Sequence, residues 1–192
     1  MTDSSPRHLP PRLPSSIVAL ACFWGLAEAT LFFIVPDVLL SWLALRRPWA
    51  QVWRACLWAL GGALLGGVLM YGWGRLAAPS ALATLQQIPA ISLAMCEAVG
   101  QQLREQGALA LFTGPLTGVP YKIYAVQSGA QQASLWLFLA ISVPARLLRF
   151  LAVAGLVRLI CRAFPAMSVR FRQGLCMAGW SSFYLYYFWH FA

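Results

Sequence analysis

The sequence predicts an all-α integral membrane protein with about three transmembrane helices, two re-entrant hairpins and one interfacial amphipathic helix. Three observations lead there. Of 192 residues, 60% are apolar and 10% charged, against roughly 25% charged in a typical soluble domain. Mean hydropathy is +0.69. The apolar residues form long runs, and two of these runs hold charges, prolines and glycines where an unbroken span would hold none. The length suits one membrane domain, residues 16–192, and leaves no room for a separate soluble one.

Taken in order, residues 1–15 are polar and Pro-rich and predict a disordered tail. Arg7 and Arg12 resemble the n-region of a signal peptide. However, the next apolar run continues past any cleavage point and Ala19-Leu20-Ala21-Cys22 is a poor lipobox, so retention is expected. Ser16 to Leu45 is apolar but contains Glu28, Pro36 and Asp37. Ala55 to Trp73 is uncharged and long enough to span, and its Gly61, Gly62, Gly66 and Gly67 predict close helix packing. Ile91 to Gln106 places Ile91, Met95, Ala98 and Val99 on one helical face, as expected of an amphipathic helix on the outer interface. In Ala108 to Gln132, Gly114, Pro115, Gly118, Pro120 and Lys122 fall together. Leu135 to Cys161 is a second span, interrupted by Pro144, Arg146 and Arg149. Leu175 to Ala192 is a third, with Trp, Tyr and His190 suited to an interfacial belt.

The two broken runs read as re-entrant hairpins, because irregular backbone at membrane depth survives only inside protein or along a wet cavity. Charge counting agrees. With both hairpins returning to the side they left, Arg7, Arg12, Arg46, Arg47, Arg54, Arg158, Arg162, Arg170 and Arg172 share the cytoplasmic side, and only Arg75 and Arg104 face out.

Glu28 and Asp37 are two of only five acidic residues, and an acid within a membrane segment is a functional-site candidate by default. On an unbroken helix they would face opposite ways, about 13 Å apart along the axis. A break at Pro36 lets them meet. Arg146 and Arg149 share a helix face too deep to snorkel, and Lys122 sits at the second hairpin. Buried charge demands a partner, so Glu28, Asp37, Lys122, Arg146 and Arg149 are expected to converge on one shared polar cavity at the hairpin tips. Two readings of that cluster stay open: internal salt bridges that fix hairpin packing, or bases that bind an anionic headgroup while a carboxylate exchanges protons.

Other classes find little support. Cys22, Cys56, Cys96, Cys161 and Cys176 have no zinc or disulfide spacing. Neither a metal nor a cofactor is expected. The net charge of +9 clusters at the ends of apolar runs and points to lipid headgroups rather than nucleic acid. No nucleophile with an adjacent base occurs, so an enzyme is not expected.

Ala27-Glu28 to Pro36-Asp37, the Gly-rich span ending Tyr71-Gly72-Trp73-Gly74-Arg75, and Phe112 to Gly118 followed by Lys122, Gly129 and an Arg-bearing helix resemble the DedA family. This is the VTT-domain, or SNARE-associated, superfamily, and the likeness is nearest its small YqaA-like members, over a core of roughly residues 24–157. The resemblance implies two facing re-entrant hairpins in a multi-pass protein of the bacterial inner membrane. It also implies a flippase or scramblase role on polyprenyl phosphate or phospholipid, with proton coupling, and the family's acidic pair maps onto Glu28 and Asp37. The two arginines of the family's F-x-R-x-x-P-G-x-R pattern fall on Gly114 and Pro120, leaving Lys122, Arg146 and Arg149 to stand in for them. Membrane lipids with anionic headgroups are the expected partners, with homo-oligomerisation left open. The alternatives are a membrane scaffold or assembly factor and, less favoured, a membrane-embedded lipid-modifying enzyme.

Overall fold

A computed structural model describes residues 13–191, with side chains through Trp189. Most of the expected tail at residues 1–15, and His190 as a side chain, therefore lie outside the described residues. The chain is all-helical: α1 (Ser15–Ala29), α2 (Asp37–Arg46), α3 (Trp49–Leu85), α4 (Leu93–Gln106), α5 (Ala108–Thr113), a 3-10 turn (Gly114–Leu116), α6 (Tyr121–Ala130), α7 (Leu135–Ala163) and α8 (Val169–Phe191). No strand occurs among the described residues.

Both expected breaks are present. The backbone leaves the helical region at Thr30 (φ −106, ψ −98), and the Thr30 hydroxyl turns back onto the Leu26 and Ala27 carbonyls at 3.0 Å each. Pro36 cannot continue a helix from upstream but suits the start of one, and α2 opens directly after it with Asp37. Backbone groups freed at the break find distant side chains. Trp24 Nε1 donates to Ile34 O at 2.9 Å, and Val35 N donates to the Tyr184 hydroxyl at 2.8 Å.

The chain doubles back at each break. Leu13 and Ile17, at the start of α1, pack in one cluster with Leu43 and Ala44 from the end of α2, Val52 and Ala55 of α3 and Ala154 of α7. The α6 segment likewise returns to the region that precedes α5: Gln127 Nε2 reaches Cys96 O at 2.8 Å and Gln131 Nε2 reaches Gly100 O at 2.9 Å, both on α4. The tips meet where Lys122 Nζ donates to Phe32 O at 2.5 Å. α3 packs against α1 and α6, and α7 against α2 and α5, so each hairpin leans one arm on each long helix.

Two helices, α3 and α7, are long and apolar enough to cross a membrane by length and composition. The expected third is not of that kind: α8 starts before Leu175, and its Ser, Tyr and Trp residues leave it less apolar than those two. α3 outruns the predicted span and kinks at Ala77 (φ −151, ψ 59), two residues before Pro79. Pro144 does not interrupt α7, which is continuous. α4 forms as expected, capped by Ser92 Oγ accepting from Met95 N at 3.1 Å. Its buried face is Cys96, Val99 and Gly100. Ala98 points outward, so the apolar stripe is rotated from the one predicted.

Glycines set how closely the elements approach. A Cβ at Gly25 would strike Ala59 O and one at Gly62 would strike Cys22 O, so α1 and α3 cross backbone to backbone. Gly74 against Val126 O and Gly129 against Tyr71 O repeat the arrangement between α3 and α6. Gly62→Val and Gly129→Val should each cost at least the roughly 1–3 kcal/mol of an overpacked core. Gly61→Ala and Gly72→Ala, where an added Cβ meets nothing within 4 Å, should be neutral. Thermal unfolding in detergent checks this, and equal behaviour of the two pairs would refute the crossing geometry.

Candidate functional site

The five predicted residues converge at the hairpin tips. Glu28 comes from the last turn of α1, Asp37 from the first of α2, Lys122 from the first of α6, and Arg146 and Arg149 from the middle of α7. Glu28, Asp37, Lys122 and Arg146 are buried, at 4%, 0%, 2% and 1% exposure. Glu28 feels the charges of Arg146, Lys122 and Arg149, and Asp37 those of Arg149 and Arg146.

Within this cluster the charges divide into two pairs. Arg146 grips Glu28 with both guanidinium ends, Nη1 to Oε1 at 3.5 Å and Nη2 to Oε2 in close contact. The Arg146 guanidinium carbon lies 4.7 Å from the Tyr121 ring centre and 5.1 Å from that of Phe150, a dry setting that strengthens cation–π attraction. The Tyr121 hydroxyl bonds Ser142 Oγ at 2.9 Å, which fixes that ring.

The second pair is more open. Arg149 Nη2 stands 2.9 Å from Asp37 Oδ2, with the carboxylate buried and the arginine side chain 21% exposed. As the first residue of α2, Asp37 also meets the positive end of that helix. Arg149 sends Nη1 to Pro115 O at 3.1 Å, which ties the second tip to the first.

The second pair borders open space. A cavity of about 530 Å3 starts at Asp37, Ser41 and Arg149 and continues between the apolar faces of α7 and α8, past Val153, Leu156 and Phe183. Glu28, Arg146 and Lys122 do not line it.

Several contributors escape sequence reasoning. Tyr121 was not singled out, although it stands beside Lys122. Tyr184 and Trp180 read as members of an interfacial belt, yet Tyr184 serves the first break and Trp180 Nε1 donates to Ser41 Oγ at 3.3 Å beside the cavity. Their four-residue spacing on α8, one helical face, was the available signal. A side chain at Gly114 would collide with the Tyr124 ring, so that position has no room for an arginine. The described residues contain no group of three or more His, Cys, Asp and Glu able to hold a metal.

No protein-family model matches this chain, and no solved structure is similar to it. It is similar to a protein of Haemophilus influenzae described as uncharacterized: 28% identical over 165 residues, covering 84% of this chain and 83% of that protein.

Breaking one side of the sealed pair leaves a buried charge alone. Arg146→Ala or Glu28→Ala should therefore destabilise the protein by roughly 3–5 kcal/mol. The apolar replacement of both, Glu28→Leu with Arg146→Met, should recover much of that loss. Thermal unfolding of the three variants in detergent is the measurement, and a double variant no better than Arg146→Ala would contradict a purely electrostatic strut.

Proposed function

We propose that this protein is a multi-pass protein of a bacterial inner membrane that moves phosphate-bearing lipids between leaflets, with proton coupling through Asp37. α3 and α7 cross the bilayer and the two hairpins enter and turn back, so that their tips meet within the membrane. This placement is supported by outward-facing apolar side chains such as Trp136 at 81%, Leu185 at 73% and Trp189 at 90% exposure.

One observation carries the lipid reading. A partly exposed ion pair lies at one end of a cavity lined mainly by apolar side chains, with Arg172 also on its wall. A phosphate suits Arg149, whose planar fork matches its oxygens, and the tail suits the walls between α7 and α8. When the phosphate takes Arg149, Asp37 loses its counter-ion in a dry setting and gains a reason to take up a proton. The family resemblance points the same way. Where that family carries an arginine, Tyr124 fills the space beside Gly114, and Arg149 arrives from α7 at the neighbouring Pro115 carbonyl.

A scaffold reading is favoured by a different observation: Glu28 and Arg146 are satisfied by each other and sealed from the cavity. We assign that pair a structural role and keep exchange for Asp37 and Arg149. Reconstitution with labelled undecaprenyl phosphate or phospholipid separates the readings. Arg149→Gln should slow translocation about 10-fold to 100-fold per folded molecule, because a hydrogen bond to a charged group contributes about 1.5–3 kcal/mol. Asp37→Asn should remove the response to a pH gradient. Transport no faster than in empty liposomes, across lipids and pH values, would eliminate the proposal.

A further inference from the structure

A second cavity, of about 320 Å3, lies toward the opposite end of α7 from the one at which that helix begins, beside the first residue of α3. Trp49, Gly155, Arg158, Leu159 and Arg162 line it. Arg158 and Arg162 are four residues apart and share a helix face. The position of Arg158 is set by the end of α2: its Nη1 donates to Ala44 O at 3.2 Å and to Arg47 O at 2.6 Å. A guanidinium offers five N–H donors, so most of this fork is left over. Neither arginine has an acidic partner among the described residues, where Glu28 and Asp37 are held by Arg146 and Arg149.

Charge and apolar surface share this groove: Arg158 and Arg162 bring the charge, while Gly155, about one turn before Arg158, and Leu159, 64% exposed, bring the apolar part. A Cβ at Gly155 would meet nothing within 4 Å, so the groove is open there. Trp49 is 41% exposed at the rim, where an indole suits the boundary between headgroups and hydrocarbon. An inorganic anion would use only the arginines. A headgroup joined to hydrocarbon uses both parts.

We propose that this cavity binds an anionic diacyl phospholipid of the cytoplasmic leaflet, its phosphodiester bracketed by Arg158 and Arg162 and its glycerol lying over Gly155. The site rests on the membrane orientation given above but not on translocation, and it shares no residue with the cavity at Asp37 and Arg149. Occupancy has a structural consequence. Because Arg158 also carries the carbonyls that end α2, a lipid on its free side ties the first hairpin to α7 and stabilises the folded protein by mass action.

The test is native mass spectrometry and thermal unfolding of the full chain in neutral detergent, with added phosphatidylglycerol, phosphatidylcholine or inorganic phosphate. Phosphatidylglycerol should be retained and should raise Tm, and the other two should do neither. Arg162 makes no contact that folding needs, so Arg162→Gln should fold normally and retain phosphatidylglycerol roughly fivefold less, the share of one arginine near an anionic headgroup. Arg162→Lys should keep most of it. Equal retention by Arg162→Gln and the unaltered protein would overturn the site. So would stabilisation by inorganic phosphate equal to that by the lipid, or retention lost in Arg149→Gln but kept in Arg162→Gln. Translocation should persist in Arg162→Gln, so failure here is distinguishable from failure of the transport proposal.

Discussion

The arrangement hangs on one buried ion pair. Arg146 sits in the middle of α7 with 1% exposure, where an uncompensated guanidinium would be prohibitively costly. Glu28 is its counter-ion, and α1 must stop where it does for that carboxylate to arrive. Tyr121 and Phe150 close the space around the pair, so the second hairpin, which supplies Tyr121, is recruited by the same charge. Removing water in this way strengthens the attraction and raises the penalty for losing either partner.

The same economy governs the irregular backbone. Each broken segment has carbonyl and amide groups without helical partners; Trp24 satisfies one from within its own hairpin, and Tyr184, Lys122 and Arg149 satisfy others from farther along the chain. Lys122 and Arg149 thus serve charge and backbone together. This couples the hairpins, because Arg149 cannot leave Asp37 without disturbing its hold near Pro115, and Lys122 cannot move without releasing the first tip at Phe32.

The difference between the two pairs is a difference in surroundings. Both join a carboxylate to a guanidinium at similar depth along α7. Arg146, which holds Glu28, lies against two aromatic rings and neither residue lines the cavity that Asp37 and Arg149 border. A sealed pair and one that borders a cavity therefore sit three residues apart on one helix. The cavity owes its shape to α8, which is held at the first hairpin by Tyr184 and Trp180 and leaves its space against α7 open.

Composition and pattern were enough for the helical class, the breaks at Pro36 and around Gly114 to Pro120, and the gathering of the five charged residues, but not for a cavity shared by all five, since only Asp37 and Arg149 line one. Local rules govern all three: proline ends helices, and buried charge must be paired. Those rules do not choose partners. Pairing Glu28 with Arg146 and Asp37 with Arg149, the opening of a cavity beside only one pair, and the inward turn of Tyr184 and Trp180 depend on how helices distant in sequence cross. Those crossings were set by backbone contacts at Gly25, Gly62, Gly74 and Gly129, where what matters is the shape of the opposing helix, and the residue's own identity reveals nothing of that shape.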